Sequence, residues 1–282
     1  MKKRFKKIYI EITNVCNLNC NFCPKTSRTP EYMSESLYKK AIDESKQLAE
    51  EITLHVMGEP LLHPEIEKII NYAKEKDVKI NLTTNGTLIE KYQTILLNKT
   101  IKRINFSIHS LNSNHSHEDA QKYLKDIIQF SKLAQKERED LILIYRLWNI
   151  NDTSNKNILD IIQTEFNTTL KDEKNKIGIE LKPNLYINYD ESFNWPNIKN
   201  EVKNQTGYCL GLKTHIGILS NGIVVPCCLD NNGNIPLGNI KNNTLNEILN
   251  SKKAQDMIKG FKERNLVEDL CKRCSYIKKF EK

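Results

Sequence analysis

Three of the chain's eight cysteines fall inside the eight residues "CNLNCNFC", where Cys16, Cys20 and Cys23 have CX3CX2C spacing. On one loop, that spacing lets three thiolates converge on one face of a metal cluster. Iron–sulfur clusters are ordinarily held by four cysteines, one per iron in the four-iron case, so three ligands leave one iron open to a small molecule. Four more cysteines recur toward the C-terminus. Cys209 is followed after twelve residues by Gly222 and after four more by Cys227, and a Cys271-X2-Cys274 pair closes the set. Were these four to hold one four-iron cluster, no iron would stay open, which would suit electron transfer better than substrate binding. Cys228 reads as a small buried hydrophobe beside it, with ligand exchange with its neighbour as the alternative.

Zinc is the rival, because Cys20-X2-Cys23 and Cys271-X2-Cys274 can be read as halves of a zinc ribbon. It explains neither the CX3C spacing nor the Cys209 to Cys227 interval. Length and composition fit two packed cores: 282 residues, 39% hydrophobic and 28% charged. No apolar run approaches the roughly 20 residues of a membrane span. The basic start "MKKRFKKIYI" runs into strand alternation without an apolar h-region. A cytoplasmic protein is therefore expected, in a compartment where clustered thiols mean metal or redox chemistry more than disulfides. The net charge of +8 is spread along the chain, as on a lysine-rich solvated surface.

The elements that must position these residues alternate. Lys6 to Thr13, Glu51 to Met57, Val78 to Thr84, Arg103 to His109, Leu141 to Trp148 and Ile177 to Leu181 read as strands. Glu35 to Ala49, Pro64 to Lys76, Thr87 to Leu97, Glu118 to Lys136 and Ser154 to Phe166 carry helical periodicity between them. The expectation is an α/β chain with a (β/α)6 parallel sheet over residues 1–182, functional loops gathering at the strands' C-terminal ends. "MGEP", "TTNG", "SIHS" and "YRLWN" all fall there, beside the first cysteine loop. Residues 183–207, rich in Asn, Pro and Tyr, read as a linker. Residues 208–282 form the second unit, with a β-hairpin around Asn221-Gly222 and two short helices before the last cysteines.

With these residues in view, the chain resembles the radical S-adenosylmethionine (radical SAM) enzymes, whose defining motif has this CX3CX2C spacing and an aromatic residue, here Phe22, before the third cysteine. The resemblance implies a partial TIM barrel with a [4Fe-4S] cluster on Cys16, Cys20 and Cys23 and SAM at its open iron. Gly58, Glu59 and Pro60 resemble the family's GEP motif, which holds the SAM amino group through backbone carbonyls. Ser107 and Asn85 are expected beside SAM, and Arg146 opposite its carboxylate. The tail is similar to the SPASM auxiliary-cluster domain. It lacks the cysteines that SPASM places after CX2C, so the truncated Twitch form is expected, with one auxiliary [4Fe-4S] cluster on Cys209, Cys227, Cys271 and Cys274. A low-potential donor such as flavodoxin or ferredoxin is implied.

Such a chain is expected to cleave SAM reductively, abstract hydrogen from a substrate and pass an electron to the auxiliary cluster. A small molecule and a peptide compete as substrate. Only Met1 to Phe5 precede the first strand, which counts against an N-terminal peptide-binding domain. An RNA-modifying enzyme is the alternative suggested by charge, but no aromatic-rich basic stripe supports it. A noncatalytic iron–sulfur protein would have no use for a SAM site. Among proton acceptors, His109 at a strand end, Glu180 at the last strand and Asp230 beside the auxiliary motif are the candidates. His115 and His117 read as solvated loop residues.

Overall fold

A computed structural model describes residues 3–111, 117–148, 155–170, 178–190 and 193–280. Its ten strands form one sheet in the order β10-β9-β8-β1-β2-β3-β4-β5-β7-β6. β1 (Phe5–Ile10), β2 (Ala49–Leu54), β3 (Ile80–Thr84), β4 (Ile101–Phe106), β5 (Ile142–Leu147) and β7 (Leu185–Tyr189) run parallel, making the partial (β/α)6 barrel. Helices Glu35–Leu48, Ile66–Glu75, His117–Glu137 and Asn155–Phe166 link strands as crossovers.

The sixth parallel strand differs from the expected one. β6 (Ile179–Lys182) pairs antiparallel with β7 at the sheet edge, and β7 occupies the place beside β5. Apolar alternation over residues 177–181 reports a half-buried strand but carries no direction, and the hairpin turn at Pro183-Asn184 reverses it. β7 lies in the stretch read as a linker. β8 (His215–Ile218) pairs parallel with β1, while β9 (Ile223–Val225) and β10 (Gly238–Asn239) extend that edge antiparallel. The C-terminal hairpin thus prolongs the barrel sheet.

Strand residues alternate between two environments. Ile8, Ile10, Ile52, Leu54, Leu82, Ile104 and Phe106 are buried in the hydrophobic core with crossover-helix residues such as Leu37, Ile69 and Ile127. The opposite face carries Lys7 and Tyr9 on β1, Glu51 and Thr53 on β2, Asn81 and Thr83 on β3, Arg103 and Asn105 on β4, and Arg146 on β5. Closed barrels fill this space with layers of branched apolar side chains. Here it is a polar lumen.

One buried carboxylate joins the two ends of the chain. Glu11, just past β1 and 0% exposed, accepts from Arg28 Nη2 at 2.7 Å and from the backbone N–H groups of Met57 and Ser220 at 3.1 Å each. Ser220 Oγ lies 2.9 Å away. Burial raises this carboxyl's pKa and the Arg28 charge opposes the rise. Arg28 closes the first cysteine loop and also donates to Asn231 O at 2.9 Å, so loop, β2 end and C-terminal hairpin share one anchor. Glu11→Ala strands the buried Arg28 charge, at a cost of about 3–5 kcal/mol, and should lower the thermal midpoint by roughly 10 °C. A midpoint within about 2 °C of the parent would show that this anchor is dispensable.

Candidate functional site

The first cysteine loop is closed at its neck by short polar contacts. Thr13 Oγ1 donates to Glu31 O at 2.8 Å, Asn14 Nδ2 donates to Thr29 O at 2.9 Å, and Asn14 Oδ1 accepts from Glu31 N at 2.7 Å. Cys16 is exposed, Cys23 half-buried and Cys20 buried. Against this neck lies Gly58, with φ +74°, where a Cβ would stand 2.5 Å from Thr13 O and 2.8 Å from Val15 O. Only glycine combines that dihedral with that approach. The next residue's N–H donates to Val15 O at 2.8 Å, so the GEP segment and the cysteine loop are laced backbone to backbone.

The Glu59 side chain turns inward, away from any ligand role. Its carboxylate accepts from Leu61 N at 3.0 Å, Thr84 Oγ1 at 2.7 Å and Asn85 N at 2.6 Å, pinning the end of β2 to the end of β3. Burial pushes its pKa up to about 7 against those three donors. Asn85, expected beside SAM, braces the cysteine loop: its Nδ2 donates to Asn17 Oδ1 at 2.9 Å and lies 3.8 Å from Cys16 Sγ.

A cavity of about 380 Å³ opens over this loop. Cys16, Cys20 and Cys23 line it, together with Gly58, Glu59, Asn85, Ser107 and Arg146. Pro60 sits buried behind that wall. The site thus brings together the three cysteines and seven of the nine candidates that are not cysteines, if Pro60 and His109 are counted. His109 lines the cavity, donates from Nδ1 to Arg146 O at 2.9 Å, and packs its ring 4.6 Å from that of Phe22. That donation leaves Nε2 as an acceptor, and burial lowers the His109 pKa to about 4, so the ring is neutral near pH 7.

Cys209, Cys227, Cys271 and Cys274 line a second cavity of about 320 Å³, and Cys228 lines it too. Gly222, with φ +87°, makes the hairpin turn between β8 and β9 that brings Cys227 back toward Cys209. All four thiols have raised pKa values, the Cys209 thiol about 11; burial is the main cause, and for Cys209, Cys227 and Cys271 neighbouring sulfurs add to it. Thiolates gathered this way need a compensating positive charge, which iron provides. The donor sets therefore fit one three-cysteine and one four-cysteine cluster. His55, Val56, Arg146, Trp148, Phe193 and Trp195 line both cavities and form the wall between them.

Two expected proton acceptors stand elsewhere. Glu180 is exposed on edge strand β6 and lines neither cavity. Asp230 is 0% exposed, and its carboxylate is taken up by Asn234 N and Ile235 N at 2.8 Å each, closing the turn after Cys228. His115 and the His117 side chain lie outside the described residues. Lys7, Tyr9 and His55 were missed as cavity residues, although the alternation Lys7, Tyr9, Glu11 along β1 was a readable sign of a polar lumen.

Comparison with known proteins agrees with this layout. The family described as the Radical SAM superfamily matches residues 10–164, just over half of the chain, and an iron-sulfur cluster-binding domain, SPASM, matches residues 209–275. A probable GTP 3',8-cyclase of Methanococcus maripaludis is 34% identical over 113 residues, 39% of this chain and 38% of that protein. The GTP 3',8-cyclase of Aquifex aeolicus is 32% identical over 120 residues, 40% and 38% of the two chains. The chain thus spans well under half the length of the curated relatives it matches. The crystal structure of BtrN in complex with AdoMet and 2-DOIA superposes with a TM-score of 0.63 at 21% identity, covering 98% of this chain and 94% of that one. Streptococcus suis SuiB bound to S-adenosylmethionine gives 0.63 at 15% identity, covering 99% and 73%. At these identities the likeness is one of fold.

Gly58→Ala forces the neck of the cysteine loop away from the GEP segment. Anaerobic reconstitution of this variant is expected to lose about half of the bound iron, that of the Cys16 loop, while the second set stays filled. Full iron content in Gly58→Ala would contradict this close approach.

Proposed function

This chain belongs to the radical SAM superfamily, and from that premise we propose that it is an enzyme that dehydrogenates a small molecule. Its cofactors are S-adenosylmethionine, a [4Fe-4S] cluster and an auxiliary iron–sulfur centre. When bound, the reduced cluster and SAM supply methionine and a 5′-deoxyadenosyl radical that takes a hydrogen atom from substrate, and the auxiliary centre accepts the electron left on the substrate radical.

Cys16, Cys20 and Cys23 hold the first cluster in this reading. Gly58 and Glu59 offer backbone to the SAM amino group, while Ser107 and Arg146 meet its other polar groups. Asn85 and Glu59 act through the backbone they fix, keeping the loop in register with the end of β3. His109 remains a candidate acceptor among the three first considered; it also holds Phe22 and lies 6.0 Å from Trp148, ring stacked on ring. Cys209, Cys227, Cys271 and Cys274 hold the auxiliary centre. Exposed Cys16 gives a low-potential donor such as flavodoxin or ferredoxin a short approach.

The observation that carries the dehydrogenation is the wall shared by the two cysteine-lined cavities. A substrate at that wall touches both the hydrogen-abstracting and the electron-accepting side. The first cavity, about 380 Å³, has the size of a small-molecule site. In the order of its motifs the chain also resembles 2-deoxy-scyllo-inosamine dehydrogenase. With dithionite and SAM, the wild-type protein is expected to release 5′-deoxyadenosine, and its substrate to lose two hydrogens. The double variant Cys271→Ala, Cys274→Ala should lose oxidised product at least tenfold more than it loses SAM cleavage, about 1.4 kcal/mol of selective effect. A product of unchanged mass, or equal losses of both activities, would sink the dehydrogenase reading.

A further inference from the structure

The wall between the two cavities has two halves of different origin. His55, Val56, Arg146 and Trp148 stand at or just past the ends of β2 and β5, whereas Phe193 and Trp195 come from the segment between β7 and β8. Residues 193–205, "FNWPNIKNEVKNQ", form no helix or strand, and among them Pro196 alone is buried. Such a segment buries too little apolar surface to offset the entropy of fixing its backbone, so its order has to come from contacts with something else.

Those contacts converge on one place. Among the described residues, the hydrogen bonds that residues 193–205 make beyond the segment run to residues 266–275. Ser275 Oγ donates to Asn194 O and Arg273 Nε to Asn200 O, each at 2.8 Å. The backbone N–H groups of Lys203 and Asn204 donate to Lys272 O at 2.9 and 3.0 Å, and Asn204 Nδ2 donates to Cys274 O at 3.3 Å. The Phe193 ring packs 5.0 Å from that of Tyr276. Lys272 and Arg273 are the two residues inside the Cys271-X2-Cys274 pair. Arg273 is fixed on its other side by Nη1, which donates to Asp269 O at 3.1 Å, so it clamps the segment to the helical turn Asp269–Lys272 that carries Cys271. In a piece this short, ligation by two thiolates is folding free energy, and it fixes the carbonyls that hold the segment.

We propose that the loop of Cys271 and Cys274, with Arg273 as its positioning residue, sets Phe193 and Trp195 over both cavities, so that filling the second cysteine set shapes the wall a substrate meets. A chain whose second set is unfilled then presents only the barrel half of that wall. The inference rests on the proposed function for calling the wall a substrate wall. The hold of the loop on the segment stands apart from it, because it is a property of this chain's own hydrogen bonds.

Hydrogen–deuterium exchange of the anaerobic holoprotein, read by mass spectrometry over residues 193–205 and over the hairpin residues 215–225, tests it, with the Lys203 and Asn204 amides as direct reporters. Arg273→Met with wild-type iron content should exchange the segment about tenfold faster and leave the hairpin unchanged. The double variant Cys271→Ala, Cys274→Ala should expose the segment at least as far. Ser275→Ala, the milder change, should speed the segment about threefold, and Ser275→Thr, which keeps the hydroxyl, should not. The chain's two tryptophans, Trp148 and Trp195, both line the wall, so acrylamide quenching of their fluorescence should rise in Arg273→Met as that wall opens. Segment exchange within about twofold of wild-type in both Arg273→Met and Ser275→Ala overturns the inference. So does a rise that spreads equally to residues 215–225, which would make these contacts a general staple of the C-terminal unit. Should Arg273→Met fail to hold iron, the Ser275 pair decides alone. SAM cleavage by the wild-type protein reports separately on the proposed function: its absence, with these exchange differences intact, removes that reading and leaves the hold of the loop on the segment.

Discussion

The site depends on a buried carboxylate that touches no ligand. Glu11 ties Arg28 of the cysteine loop, Met57 at the end of β2 and Ser220 of the C-terminal hairpin to β1. A loop carrying three thiolates has little apolar surface of its own to bury, so its shape has to come from polar contacts whose geometry is directional. Asn231 and Asn232 add to the tie, the first donating to Lys25 O at 2.7 Å and the second accepting from Thr26 Oγ1 at 2.8 Å. The loop of the first cysteine set is therefore held partly by the unit that carries the second. The spacing of the two sets is thereby built into one hydrogen-bonded body.

The same economy explains the lumen. An open parallel sheet that leaves its inner face polar gives up the packed layers of a closed barrel and must gain stability outside. The outer faces of β1 to β5 do this, with isoleucine, leucine and aromatic residues almost wholly enclosed by helices. Inside, polar side chains pair where they only support the fold, as Asn105 does with Leu82 O at 3.1 Å. His55 Nδ1, on the wall shared by the two cavities, has no hydrogen-bond partner among the described residues.

Much of this was legible in the chain itself. Cysteine spacing is a local signal that needs no knowledge of the fold, and each set named from it lines one cavity. Strand and helix alternation gave the barrel through β5 for the same reason. What failed was nonlocal. Residues 177–181 alternate equally well in either direction, and only pairing decides that β7 sits beside β5. Glu59 and Asn85 line the first cavity, but a sequence does not tell a backbone contact from a side-chain one, and both side chains brace the scaffold. Asp230 beside a cysteine looked reactive, yet its carboxylate closes a turn.

The central claim is that one cysteine set leaves an iron open for SAM and the other does not. Electron paramagnetic resonance of reduced protein, with and without SAM, separates them when each set is isolated by Cys→Ala substitution of the other. The account predicts that SAM shifts the spectrum of protein retaining Cys16, Cys20 and Cys23, and leaves unchanged that of protein retaining Cys209, Cys227, Cys271 and Cys274. A SAM-induced shift in the second preparation, or none in the first, would contradict it.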